Sequence, residues 1–540
     1  MVRELQRASG RRRKPTGRRA GFPCTALALL LLASPALAQT QIDASRPPPQ
    51  TSGVPIPRGQ IEMAVSRIDA LADDLMKRSG VPGMAVAVVH EGRTVFLKGY
   101  GLRKVGESAA IDADTVFQLA SLSKSVGASV VAHEVGKGTV KWDTPVEDLM
   151  PWFALNDDWV SEHVTIADLY SHRSGLPDHA GDELEDLGYD RRQVLERLKR
   201  LPLAPFRVSY AYTNFGVTAA AEAVAAAAGK DWETLSDEVL YKPLGMASTS
   251  SRFADYMARP NRAIPHVRVG KIGESKTFAA KFQRDPDAQS PAGGVSSSVR
   301  DMARWLAFVL GGGTYEGRQI APEKALLPAM RPQMISSPAY AADARAGFYG
   351  FGFAVNVSPA GRVMIDHSGA FILGAGTTYV LLPSEKLGIV ALTNAQPTGV
   401  PEALSASFMD LVQFGSITRD WLTAYATLID PLYTPLGALA GKSAPAKPAP
   451  AKPLSAYVGT YANAYFGEAR VSEEKGRLVL AVGPRPRVFT LDHWSGDDFI
   501  FHPESEETAP AGSVSQVTFA GGRMKVEFFN DNGLGTFERR

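Results

Sequence analysis

Apolar residues recur along this chain with two different periods, and the alternation between them predicts the elements. From Ile61 to Arg78 the spacing is helical and stops at Gly80, with Pro82 beyond. Met84 to His90 and Thr94 to Tyr100 are β-rich runs joined by Glu91-Gly92-Arg93, which predicts a hairpin. Leu122, Val126, Val130 with Val131 and Val135 restore the helical period, and Gly136 and Gly138 are expected to close that helix. An Ala-rich helix runs to Ala228 and stops at Gly229, and Asp301 to Leu310 is amphipathic. Two further β runs, Thr377 to Leu382 and Leu387 to Thr393, flank a Pro-Ser-Glu-Lys turn. Helical stretches near Glu402 to Leu411 and Arg419 to Leu428 are expected to pack over that sheet.

The pattern changes at Gly441 to Pro453, a Ser-Ala-Pro-Ala-Lys-Pro segment that favours extended polyproline geometry and makes a semi-rigid spacer. Beyond it, short runs such as Arg477–Val482, Phe499–His502 and Met524–Phe529 alternate with Gly and Asp/Asn turns, which predicts a small all-β domain, a barrel. The chain thus divides into a leader at 39–58, a main domain at 59–430, a linker at 431–453 and a β domain at 454–540.

The first 38 residues are read as a signal peptide. Arg11-Arg-Arg-Lys14 and Arg18-Arg19 precede a Leu/Ala run at Ala26 to Ala33, and Ala36-Leu37-Ala38 supplies a small-x-small cleavage pattern. The apolar run is too short to span a bilayer, so no stable membrane anchor is expected and the product is periplasmic or secreted. The signal leaves Sec or twin-arginine export open. This segment holds eight Lys or Arg and one Glu, so the +2 of the whole chain becomes about −5 without it, and nucleic-acid binding is excluded as a reading. The single cysteine, Cys24, also lies in the signal, which leaves the mature chain without disulfide or thiolate chemistry.

Candidate chemistry sits in three short signals in order: Ser121-x-x-Lys124, Tyr212-x-Asn214 and His367-x-Gly369. Ser121 and Lys124 share one face at the head of the helix, where a neighbouring base can activate a hydroxyl and helix N–H groups suit an oxyanion. Each signal has a decoy, at Ser472 to Lys475, Tyr461-Ala-Asn463 and His90-Glu-Gly92, so order and context carry the weight. His172, in Leu169-Tyr-Ser-His172-Arg-Ser-Gly, invites a role as a base, but its ring is read as structural, capping the Ser-Gly turn. The histidines are scattered without zinc-ligand spacing, so neither metal nor cofactor is expected.

With Ala120-Ser-Leu-Ser-Lys124, Ser171-His-Arg-Ser-Gly175, Tyr212-Thr-Asn214, Pro243-Leu-Gly-Met246, Pro291-Ala-Gly-Gly294 and His367-Ser-Gly369 in order, the sequence resembles the serine β-lactamase and penicillin-binding-protein superfamily. The nearest branch is class C with its related esterases and D-peptidases, over about Ile61 to Asn394. The tail from Leu454 resembles an accessory β domain fused to such hydrolases. The resemblance implies an α+β, β-lactamase/transpeptidase-like fold: an antiparallel sheet flanked by helices plus a helical subdomain, then a small barrel-like domain. It also implies that the third triplet lies on an edge strand facing the Ser and Tyr across one cleft.

Carried over residue by residue, the resemblance makes Ser121 the nucleophile of an acyl-enzyme. Lys124 and Tyr212 share the proton traffic. The backbone N–H groups of Ser121 and Ala370 form the oxyanion hole, and Asn214, His367, Ser368 and Gly369 line the substrate site. The implied partners are small ester, β-lactam or D-peptide substrates, and cell-wall peptides. One departure bears on the substrate: His367 stands where β-lactamases of this class usually carry Lys, and an unperturbed His, with a pKa of about 6.5, is mostly neutral at pH 7. An esterase or a D-Ala or D-amino-acid peptidase is therefore expected ahead of a β-lactamase, with a non-catalytic cell-wall-peptide-binding or penicillin-binding protein as the reading from another class. The oligomeric state has no signal in the sequence.

Overall fold

The computed structural model describes residues 50–270, 275–504 and 510–540, all within one compact unit, Arg46–Arg540. The signal and most of the leader lie outside the described residues.

An antiparallel sheet organises the main domain. Its strands in chain order are β1 (Gly83–His90), β2 (Arg93–Gly101), β3 (Met334–Ser337), β4 (Gly347–Tyr349), β5 (Ala354–Val357), β6 (Val363–Phe371), β7 (Ala375–Leu382) and β8 (Leu387–Thr393), and they lie side by side as β2-β1-β8-β7-β6-β5-β4-β3. The central strands are buried on both faces, which explains why β1, β7 and β8 read as near-continuous apolar runs rather than alternating ones. One face, with Met84, Val86 and Val88, packs against helices α1 (Gln60–Ser66), α2 (Ile68–Ser79) and α7 (Val400–Phe414). The other, with Ala85, Ala87, Tyr379 and Leu392, packs against α3 (Leu122–Lys137) and α6 (Val299–Leu310) and continues into a helical region that includes α4 (Asp182–Asp186) and α5 (Asn214–Ala228).

The structure corrects the element pattern in several places. The helix expected from Ile61 to Arg78 is two, broken at Arg67. Gly136 does not end α3: it lies in the last turn, where a Cβ would come within 2.2 Å of the Pro322 ring, and Gly138 in the left-handed conformation closes the helix. Helix α8 (Trp421–Ile429) has no fully buried residue; it packs chiefly on α7, and Trp421, Leu422 and Tyr425 pack against the cluster that covers the Met84 face of the sheet. The third triplet is on an interior strand, because β5 pairs with β6, but that pairing stops at Asp366. From His367 to Phe371 the strand pairs only with β7, so it is an edge locally, where the site is.

After an extended, mostly exposed stretch at 442–453, eight antiparallel strands close into a barrel: β9 (Gly459–Asn463), β10 (Gly467–Glu474), β11 (Arg477–Val482), β12 (Arg487–Ser495), β13 (Asp498–Phe501), β14 (Ser515–Ala520), β15 (Arg523–Val526) and β16 (Thr536–Arg539). Closure by β9 against β16 removes the sheet edges. Phe466, Phe499, Phe519 and Phe537 fill the interior together with Tyr457 and Tyr461.

Candidate active site

The turn that delivers Ser121 is built before α3 begins. Ala120 adopts a left-handed φ of 49°, a conformation that costs a non-glycine residue on the order of 1–3 kcal/mol. Packing of Ala120 against Phe371 and Ala375 holds it there. On its N-terminal side Leu119 is fixed twice: its N–H donates to Val295 O at 2.9 Å and its carbonyl accepts from Thr377 Oγ1 at 2.8 Å. Ser121 then occupies the N-cap of α3, with its side chain partly exposed, and the first-turn N–H groups of Leu122, Ser123 and Lys124 donate to the carbonyls of Leu119, Ala120 and Ser121.

Lys124, one turn along, is fully buried. Its Nζ lies 3.0 Å from Ser121 Oγ, 2.7 Å from Asn214 Oδ1 and 3.0 Å from the Ala292 carbonyl, and 4.5 Å above the Tyr212 ring. The Pro291-Ala-Gly-Gly294 segment thus brings backbone to the lysine: it forms a short helix, Ser290–Gly293, that aims the Ala292 carbonyl inward. Asn214 opens α5, and its Nδ2 donates to Asp182 Oδ2 at 2.8 Å. Asp182 also meets His179 Nδ1 at 2.7 Å.

Tyr212 is bracketed by His172. The His172 carbonyl accepts from Ala211 N–H at 3.0 Å, His172 Nδ1 accepts from Thr213 N–H at 3.1 Å, and the His172 and Tyr212 ring centroids are 4.5 Å apart. The ring therefore braces the tyrosine loop instead of capping the Ser-Gly turn. Burial, then the charge of Lys124, pushes the His172 pKa well below the usual value, so the ring stays neutral.

The third triplet reaches Ser121 through Gly369. A Cβ there would sit 2.4 Å from Leu119 O, 2.4 Å from Thr377 Oγ1 and 3.0 Å from Ser121 N, so only glycine lets β6 pass this close to the head of α3. Ala370 follows, with its side chain exposed. Ser368 points to the opposite face of the sheet, its Oγ 3.3 Å from Thr378 Oγ1, so the side chain does not line the Ser121 site. His367 lies on the Ser121 side, buried. Its Nδ1 donates to Ser368 O at 2.7 Å and its Nε2 lies 2.7 Å from the Tyr349 hydroxyl. Burial and then Lys124 push its pKa down to about 3. The ring is neutral, and Tyr349 donates to it.

Ser121, Lys124, Tyr212, Asn214, His367, Gly369 and Ala370 are thus brought into one region. Sequence reasoning missed Tyr349 and Asp182. Tyr349 sits in a Phe-Tyr-Gly-Phe-Gly run that reads as an ordinary strand, and Asp182 begins Asp-Glu-Leu-Glu-Asp, which reads as a solvated acidic stretch. No local pattern marks either. Among the described residues no group of three or more His, Cys, Asp or Glu is arranged to hold a metal ion, and no helix is long and apolar enough to cross a membrane.

Comparison with known proteins bears on the family and the fold. Residues 68–414 match the β-lactamase family, and residues 443–536 match a domain of unknown function, DUF3471. The chain is similar to the D-alanyl-D-alanine-carboxypeptidase/endopeptidase AmpH of Escherichia coli, 26% identical over 364 residues that cover 65% of this chain and 89% of that protein. It is similar to the esterase EstB of Burkholderia gladioli, 26% identical over 379 residues, 64% of this chain and 94% of that protein. In fold it is similar to the octameric penicillin-binding protein homologue from Pyrococcus abyssi, with a TM-score of 0.56 at 16% identity over 88% of this chain and 99% of that one. The chain belongs to the β-lactamase family and is a serine hydrolase relative with its fold.

Proposed function

We propose that the protein is an exported serine acyl hydrolase that acts on neutral esters or amides. The observation that carries this reading is the placement of the buried Lys124 Nζ 3.0 Å from Ser121 Oγ, with Asn214 and the Ala292 carbonyl holding it in place. In its neutral amine form Lys124 takes the hydroxyl proton as Ser121 Oγ attacks the carbonyl carbon, and it returns that proton to Ser121 Oγ when the acid leaves. The N–H groups of Ser121 and Ala370 stabilise the oxyanion of the tetrahedral intermediate. Tyr212, beside the ammonium, passes a proton to the leaving group as the acyl-enzyme forms, and then draws one from the water that releases the acid. Each such proton transfer contributes about 10²–10⁴ in rate.

The neutral His367 supports the substrate class. A substrate with a free carboxylate beside the scissile bond finds no cation at this position, because the ring is buried, bonded to Tyr349 and held neutral. Matched pairs test the reading: a D-Ala-D-Ala peptide against its C-terminal amide, and a chromogenic ester against a chromogenic cephalosporin. A burst followed by turnover on the ester, with higher kcat/KM for the uncharged member of each pair, is expected. Absence of a burst, with the binding of cell-wall peptides retained, would favour a non-catalytic binder. Preference for the carboxylates would overturn the substrate class.

A further inference from the structure

The barrel grips residues 181–189, the stretch that carries α4. Tyr189 donates its hydroxyl proton to the Phe466 carbonyl at 2.9 Å, at the start of β10. Two glycines of the barrel are seated against the same stretch: a Cβ on Gly467 would lie 2.3 Å from the Tyr189 hydroxyl, and a Cβ on Gly483 would lie 2.2 Å from the Leu187 carbonyl. Arg485 Nε donates to Gly188 O at 3.4 Å. Tyr465 is buried at the same junction, against the carboxylates of Glu183 and Asp182.

Helix α4 is also bonded to the residues around Lys124. Asp182 accepts from Asn214, and Asn214 accepts from Lys124, through bonds of 2.8 and 2.7 Å. Glu185 accepts from Arg284 at 2.6 Å, and the Arg284 guanidinium lies 5.4 Å from the Phe371 ring, next in sequence to Ala370. One short helix and the turn that follows it therefore meet the barrel and brace both the lysine and the oxyanion strand.

We propose that the barrel is a positioning domain: by clamping residues 187–189 it fixes Asp182, and through Asp182 and Asn214 it sets where Lys124 stands against Ser121. This rests on the Ser121 mechanism proposed above. The chain from Asp182 to Lys124 consists of two short hydrogen bonds, so a displacement of α4 by about 1 Å takes them past hydrogen-bonding distance. Misplacement of that size at a reacting centre costs roughly a hundredfold in rate.

The test uses the full mature chain and follows acylation by a fluorophosphonate with intact-protein mass spectrometry, beside kcat and KM on a chromogenic ester. Gly483→Ala wedges the barrel from Leu187, and Gly522→Ala is its matched control, a left-handed glycine of the barrel with nothing within 4 Å of its Cβ. Gly483→Ala is expected to slow acylation and kcat roughly ten- to a hundredfold with KM little changed, and Gly522→Ala to leave both unaltered. Asp182→Asn is expected to slow acylation to a similar extent, and adding Gly483→Ala to it to slow it no further. A Gly483→Ala protein that acylates at the wild-type rate, or losses that multiply in the double variant, would overturn the proposal. If Gly483→Ala does not fold, Tyr189→Phe decides: a severalfold loss in acylation supports the clamp and a wild-type rate overturns it. A wild-type protein that is not labelled overturns the Ser121 mechanism and this proposal with it, whereas labelled wild type with equally fast variants overturns the clamp alone.

Discussion

The Tyr349 hydroxyl lies 2.7 Å from Nε2 of His367, the residue that departs from the β-lactamase pattern. Burial and Lys124 hold the ring neutral, Nδ1 donates to the Ser368 carbonyl, and Nε2 is therefore the acceptor for the Tyr349 hydroxyl. His367 therefore contributes shape and a fixed dipole to the site, and Lys124 Nζ is the side-chain nitrogen that faces Ser121 Oγ.

The His367 ring is expected to titrate far below pH 6.5, near the value of about 3 set by burial and Lys124. Tyr349→Phe removes a hydrogen bond to the neutral ring, so the pKa moves up. Proton NMR of the His367 ring against pH checks both statements. A wild-type ring that titrates near 6.5 would contradict the neutral-site account and the substrate class built on it.

Asn214→Ala removes an acceptor from a buried, charged side chain. Destabilisation of about 1–3 kcal/mol is expected, together with a loss of roughly 10²–10³ in kcat at similar KM. Denaturant unfolding and steady-state kinetics on a chromogenic ester measure the two. A variant with wild-type kcat would remove Asn214 from the machinery.

Gly369→Ala tests the close approach of β6 to the turn that carries Ser121. A Cβ 2.4 Å from both Leu119 O and Thr377 Oγ1 forces the strand away from α3, at a cost of about 1–3 kcal/mol as overpacking. Loss of acylation in a protein that still folds, seen by circular dichroism and fluorophosphonate labelling, is the expected result. Ser368→Ala, on the far face of the strand, is expected to acylate normally.

Glu183 gives a pH signature at the barrel junction. Burial, then the carboxylates of Asp531, Asp182 and Asp186, raises its pKa to about 8 from the usual 4.5, and Tyr465 faces the same group. The folded state thus holds a proton that the unfolded state has released, so this contribution is fully present below about pH 4.5 and is lost as pH rises through about 8. Glu183→Gln is expected to gain thermal stability relative to wild type progressively across that window. Parallel melting curves from pH 5 to 8.5 would contradict the assignment.

Much of the main domain was legible because its signals are local. The period of Leu122, Val126 and Val130 marks α3, left-handed Gly138 and Gly229 end α3 and α5, and Ser121, Lys124, Tyr212 and Asn214 lie at fixed spacings. Tyr349 and Asp182 act through partners 18 and 32 residues away, respectively, and no spacing rule reaches that far. Ser368 shows the opposite failure. Its place in the triplet suggested a role in the cleft, but strand pleating sends its side chain to the other face while Gly369 approaches Ser121. The barrel was legible as a class, yet its closing strands β9 and β16 are defined by pairing across nearly the whole domain.

The central claim is that Ser121 forms a covalent acyl-enzyme with Lys124 beside it. Peptide mapping by mass spectrometry, after brief exposure to a chromogenic ester and acid quench, tests it most directly. The account predicts one acyl group on the peptide that contains Ser121 and none in Ser121→Ala. An acyl group on another residue, or equal labelling of Ser121→Ala, would contradict it.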